Sequence, residues 1–295
     1  MDLGSDTMGT AWSVLVVDAT TGERLVDQHP ERVLGTASVA KLLLLTEVAA
    51  RLAAGTLDAD QPVQRNTTPP VADSGLWHLM RLDTLPLADV CLLVAAVSDN
   101  WATNALLEVV GLDAVTARAE SLGMVHTRLL DRVRDARTPA DPPTLSVGNA
   151  AEWVEFLLQV HQGILVNRQV SEQLRAWLAT SVDHSMVAAA WAQDPLVATG
   201  RVLNKTGTDD GVRADVGIVT GERPVVYAAI AGWRVDGARI VAQDRVLARL
   251  RAIALEAQRA EVSTAAPIPH IVKRPAGRDS FTVDDAADQP TQNGS

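Results

Sequence analysis

Cysteine is almost missing: Cys91 stands alone in 295 residues, which excludes an internal disulfide and any multi-cysteine metal site. Its neighbours Val90, Leu92 and Leu93 read as a buried helical position. Lysine is nearly as scarce. Only Lys41, Lys205 and Lys273 occur among 26 basic residues, so arginine is the default cation, and a lysine here points to a need for a compact, titratable ammonium. No stretch reaches the roughly 18 uninterrupted apolar residues of a membrane span. Residues 1–6 carry neither a positive nor an apolar segment, so they do not read as a signal peptide, and a cytoplasmic location is the expectation. The net charge of −10 argues against nucleic acid and anionic membrane as partners. His29, His78, His126, His161, His184 and His270 show no metal spacing. There is no Gly-x-Ser-x-Gly elbow and no phosphate-binding glycine loop. Neither metal nor organic cofactor is expected.

What is present is a chain of 47% hydrophobic and 21% charged residues, long enough to bury a large core. Residues 11–18 read as a buried strand, 20–23 as a turn and 24–28 as the return strand. A strongly apolar helix opens at Ser38 and stops at Gly55. Helices are expected over 86–97, from 98–100 to Gly111, over 112–122, 146–162 and 170–180, with a long polar loop over 128–144. Strands return at 202–205, 212–220 and 224–233, and a last helix covers 238–260. The order strands, helices, strands, helix gives an α+β fold. One antiparallel sheet is built from both chain ends and flanked by helices, with a helical subdomain over about 56–195 inserted. Residues 1–260 form the folded domain, and 261–295, polar and aperiodic, are expected to be a disordered tail.

Thr36-Ala37-Ser38-Val39-Ala40-Lys41 carries the first chemistry. Residues i and i+3 share a helix face, so the Lys41 amine can sit beside the Ser38 hydroxyl. Serine needs an adjacent base to act as a nucleophile, and lysine becomes one when burial and a second cation lower its pKa. Taken alone, the pair also fits a helix cap with a neighbouring lysine. Two further triplets follow: Ser98-Asp99-Asn100 at a helix start and Lys205-Thr206-Gly207 on a strand. Singly, each fits a cap or a strand end. Together and in this order they resemble the serine β-lactamase and penicillin-binding superfamily, nearest to class A, over roughly residues 10–258.

The resemblance implies a small-molecule acyl substrate, such as a β-lactam or a D-amino-acid amide or ester, bound between sheet and helical subdomain. Ser38 is then the nucleophile and Lys41 its base. Ser98 relays a proton to the departing nitrogen, and Asn100 bonds the lysine and a substrate amide. Lys205 depresses the Lys41 pKa and attracts an anion, while Thr206 holds a substrate carboxylate. Gly207 lets substrate approach the strand edge, and the N–H groups of Ser38 and Thr208 form the oxyanion hole. Arg213 reads either as a carboxylate clamp or as a solvated edge-strand charge, and Trp77 as cleft or core.

The pattern also breaks. The resemblance calls for a water-activating glutamate after an Arg-Leu-Asp-Arg-like segment, but 128–135 reads Arg-Leu-Leu-Asp-Arg-Val-Arg-Asp. The glutamate position is most simply Arg134, which cannot act as a general base. Asp135 and Asp141 are the alternatives. Acylation is therefore expected and rapid deacylation is not. A cytosolic esterase or peptidase on the same fold, and a non-catalytic ligand-binding descendant, stand as the other readings.

Overall fold

β1 (Ala11–Asp18) is buried along nearly its whole length, as a strand covered on both faces must be. A turn leads into β2 (Arg24–Gln28). The Asp18 carboxylate closes this turn by accepting the N–H groups of Thr20 and Thr21 at 2.8 and 2.9 Å. The computed structural model describes residues 9–65, 68–71, 73–191, 201–235 and 239–264.

After the short β3 (Leu34–Gly35) come α1 (Lys41–Ala53), β4 (Pro62–Gln64), β5 (Thr84–Pro86), α2 (Leu87–Val97), α3 (Asn100–Val110) and α4 (Leu112–Ser121). Then follow β6 (Arg128–Leu129), β7 (Ser146–Gly148), α5 (Ala150–Gln162) and α6 (Arg168–Leu178). The chain closes with β8 (Val202–Asp209), β9 (Val212–Val219), β10 (Val225–Gly232) and α7 (Arg239–Thr264). The main sheet is antiparallel in the order β2-β1-β10-β9-β8. The first strand, β1, and the last, β10, thus pair at the middle of the sheet, and β8 forms an edge.

Strand alternation divides the core in two. Leu15, Val17, Val216, Ala228 and Ile230 face α1 and α5, packing on Leu42–Leu45 and Trp153. Val14, Val16, Tyr227 and Ala229 face the other way, onto Leu250, Ile253 and Ala257 of α7 and onto Trp191, whose ring stacks on Tyr227 with centroids 6.0 Å apart. Residues Lys41 to Ala49 of α1 are all buried, so the helix that supports the Ser38 turn is fixed on every side. Truncating one of its leucines to alanine carries a typical cost of about 2–5 kcal/mol.

Four expectations need correction. The turn bearing Ser38 is a 3₁₀ helix, Ala37–Ala40, with α1 starting at Lys41, because Ala37 adopts a left-handed backbone (φ 46°) that an α-helix does not admit. Ser146–Gly148 is strand, not helix. Ser146 is pulled into β7 pairing by hydroxyl bonds to Thr36 and the Ala37 carbonyl, both 2.7 Å, and the Asn149 side chain then caps α5 by accepting the Glu152 N–H. β8 runs four residues beyond Lys205 because its full length pairs with β9. Residues 261–264, expected in the tail, belong to α7; the rest of that tail lies outside the described residues. No helix among the described residues is long and apolar enough to cross a membrane.

Candidate active site

Three elements meet: the Ala37–Ala40 turn, the α2–α3 junction and the edge strand β8. They line one cleft of about 840 Å³ with Ser38, Ser98, Asn100, Lys205, Thr206, Thr208 and Arg213 on its wall. Lys41 lies behind the wall, fully buried.

The α2–α3 junction is held in an unusual shape. Ser98 is left-handed (φ 55°, ψ 35°) and ends α2, while the Asp99 side chain caps α3 by accepting the Ala102 N–H. The second carboxylate oxygen of Asp99 accepts the N–H groups of Leu76 and Trp77 at 2.7 and 2.8 Å. Gly75 makes this possible: a Cβ there would collide with the Asp99 carboxylate. Sequence reasoning passed over Gly75, since only the tertiary approach reveals its need.

Lys41 Nζ donates to the Ser98 carbonyl and to Asn100 Oδ1, both at 2.7 Å, and lies 3.3 Å from Ser98 Oγ. Lys205 Nζ donates to the same Oγ at 2.9 Å and to the Thr206 carbonyl at 2.9 Å. Burial above all, then the charge of Lys205, drives the Lys41 pKa well below the usual lysine value; Asp99 opposes the shift weakly. Burial lowers Lys205 less, to about 8, because Asp183 and Asp215 oppose it. The arrangement thus favours a neutral amine at 41 beside an ammonium at 205.

Gly207 sits at a close backbone approach. A Cβ there would run into the Thr36 carbonyl and stand 3.2 Å from the Ser38 nitrogen. The glycine lets β8 press against the turn that bears Ser38. Trp77 is core: it is fully buried, and its indole N–H donates to the Leu82 carbonyl at 2.9 Å. Arg213 is 8% exposed, which removes the solvated-charge reading. Its Nη1 donates to the Asp209 and Val212 carbonyls at 2.8 and 2.7 Å, and its guanidinium packs over Trp233, so it also braces the β8–β9 turn. Cys91 is buried, and its thiol pKa is pushed up to about 12 by that burial.

The loop after β6 carries Val133, Arg134, Asp135 and Arg137 to the cleft. Asn104 of α3 anchors it, exchanging hydrogen bonds with the Val133 N–H and carbonyl at 2.8 and 2.9 Å. Arg134 bridges Asp131 and Asp141 at 2.7 and 3.1 Å, and Arg137 pairs with Asp131 at 2.6 Å. Asp141 also accepts the Thr138 N–H and hydroxyl. Two of the loop's carboxylates are therefore bound up in holding its shape, leaving Asp135 exposed on the cleft side.

Behind Lys205, on the opposite face of the sheet, Asp215 is completely buried. It accepts bonds from Asn204 Nδ2 (3.1 Å), Tyr227 Oη (3.2 Å) and the Ala188 N–H (3.2 Å). Burial outweighs these bonds and raises its pKa to about 7. Among the described residues, no group of three or more His, Cys, Asp or Glu is placed to hold a metal ion.

A family model described as the Beta-lactamase enzyme family matches residues 2–249. Among solved structures, a β-lactamase from Sphaerobacter thermophilus DSM 20745 superposes with a TM-score of 0.71 at 22% identity, covering 88% of this chain and 93% of that one. PBP-A superposes at 0.73 with 15% identity, over 88% and 92%; at these identities the two show the fold alone. A variant of the class A β-lactamase of the last common ancestor of Gram-negative bacteria, bound to the transition-state analogue 5(6)-nitrobenzotriazole, gives 0.71 at 26% identity, over 87% and 95%. A search of curated proteins gave no match.

Proposed function

The chain belongs to the beta-lactamase enzyme family, and from that premise we propose that it is an acyl-transfer enzyme in which Ser38 takes the acyl group of a β-lactam or a related amide or ester. The observation that carries the reading is the Ser98 hydroxyl, held between Lys41 and Lys205 at 3.3 and 2.9 Å on the cleft that also exposes Ser38. A neutral lysine amine has two protons, and the Ser98 carbonyl and Asn100 Oδ1 accept both. The nitrogen lone pair remains for a hydroxyl proton.

The sequence of events follows. Lys41 takes the Ser38 proton while Oγ bonds to the carbonyl carbon. The resulting oxyanion is met by the N–H groups of Ser38 and Thr208, which the contact of Gly207 with the nucleophile turn brings close; one such donor is typically worth about 3 kcal/mol. Ser98 gives its proton to the departing nitrogen or oxygen as the carbonyl reforms, and Lys41 returns the proton to Ser98. The products are an acyl-Ser38 ester and a protonated leaving group.

Release is the slow half. Arg134 stands where a water-activating glutamate is expected, and it has no proton-accepting atom. Asp131 and Asp141 are held in ion pairs below the usual carboxylate range: burial raises Asp131 but its arginine bonds outweigh it, and Thr138 leads the lowering of Asp141. A carboxylate so held is a weak base. Intact-mass measurement after exposure to a penicillin, a cephalosporin and an activated phenyl ester tests the reading. A single lasting adduct on the wild type and none on Ser38→Ala is expected. No adduct with any of the three, or equal adducts on both proteins, overturns it.

A further inference from the structure

The end of the cleft beyond Ser98 receives the departing half of a substrate, because Ser98 protonates the leaving atom. Its polar wall includes Lys205, Thr206, Thr208 and Arg213; by resemblance Lys205 attracts an anionic substrate and Thr206 helps hold its carboxylate. A carboxylate of the protein itself already stands there. Asp183 lines the cleft, and Ser185 fixes its Oδ1 through hydroxyl and N–H at 2.7 and 3.1 Å. The Asp183 carbonyl is tied to β8 through Asn204 Nδ2 at 3.0 Å, so the residue is positioned from both its backbone and its side chain.

We propose that Asp183 sets specificity: it disfavours acyl donors whose leaving half carries a carboxylate and selects amides or esters whose leaving half is uncharged or cationic. The inference rests on the acyl-transfer reading above. Its physical basis is charge. An incoming carboxylate would meet a like charge on the same wall of the cleft, where like charges repel more strongly than in bulk water. Asp183 is ionised in the fold: burial pushes its carboxyl up, but Ser185, Thr206 and the Lys205 charge hold it below the usual range.

The surroundings reinforce the choice. Asp73, Asp135, Asp209 and Asp210 also line the cleft. Of the cations there, Arg134 and Arg137 are paired with Asp131 and Asp141, and Lys205 lies in the charge field of Asp183 and, through the sheet, of Asp215. The net charge of −10 adds a repulsive field for anions at longer range.

The test is a ratio. The rate constants for Ser38 acylation by benzylpenicillin and by its methyl ester, followed by intact mass on the full chain, differ by one charge on the leaving half. The wild type is expected to favour the ester. Asp183→Asn and Asp183→Ser should each shift the ratio toward the free acid by about tenfold or more. Raising the ionic strength should narrow the wild-type preference clearly more than that of the variants, which a merely structural role would not do. A wild type that prefers the free acid, or ratios equal in all three proteins, overturns the inference. No adduct from either compound on any of the three overturns the acyl-transfer reading itself, a failure distinct because no ratio can then be formed.

Discussion

Lys205 Nζ lies 2.9 Å from Ser98 Oγ, and the amine of Lys41 lies 3.3 Å from the same oxygen. Two ammonium groups so near one atom repel, so the more deeply perturbed one, Lys41, gives up its proton first. In the mechanism proposed above, the hydroxyl between them joins a base to an acid.

That pairing fixes the pH dependence of acylation. With an uncharged acyl donor, the rate should rise on the acid side as Lys41 loses its proton and fall above about pH 8 as Lys205 does. Lys205→Met removes the charge that helps depress Lys41. Its acid limb should move to higher pH, and its neutral-pH rate should drop by roughly 10²–10⁴. Lys205→Arg keeps the charge without titrating, so the fall near pH 8 should disappear. A Lys205→Met profile superimposable on the wild type would sink the coupling.

Arg134 invites the substitution Arg134→Glu, which puts the expected residue type at its place. We predict no gain in turnover. Arg134 bridges Asp131 and Asp141, and a glutamate would set a third negative charge between them. The acyl-enzyme lifetime should change by less than about tenfold, while amide exchange across 131–142 should quicken as in any loop that loses its internal bonds. Adding Asp141→Arg should restore protection. Rapid hydrolysis by the single variant with unchanged exchange would contradict this account.

Asp215 predicts a pH effect on stability rather than on rate. Its carboxyl titrates near 7 in the fold against 3.8 in the unfolded chain. A raised pKa contributes stability that is full below about pH 4 and is lost as the pH rises through about 7. The difference in unfolding free energy between wild type and Asp215→Asn should therefore move against the wild type over that interval, by at most about 4 kcal/mol. Urea unfolding of both proteins at several pH values measures it. A difference flat with pH would refute the buried, protonated carboxyl.

The site was legible where its chemistry is local. Ser38 with Lys41, and the Ser98–Asn100 cap, are patterns within one turn, and Lys205–Gly207 is a run within one strand. What escaped depends on contacts between distant segments. Asp183 is a single acid in a connection after α6, with no periodicity to mark it, and it matters only because the fold brings it to the cleft wall beside β8. Gly75 and Gly207 read as ordinary loop and strand glycines until Asp99 and Thr36 are found against them. The fold itself was legible through strand alternation and the apolar α1. β7 was missed because Ser146-Val147-Gly148 continues the composition of the helix behind it, and only Thr36 and Ala37 draw it into a ladder.

Two non-glycine residues of the site, Ala37 and Ser98, hold left-handed backbones at φ 46° and 55°, a conformation that costs a non-glycine residue about 1–2 kcal/mol. One directly precedes Ser38, the proposed nucleophile, and the other carries the proposed relay hydroxyl. Glycine at 98 would relieve the strain and delete the hydroxyl in a single step, so Ser98→Gly should melt at a higher temperature while losing acylation. Directed evolution of this chain for heat resistance alone would then drift toward an inert scaffold, and a thermostability screen needs a labelling step to keep the chemistry in view.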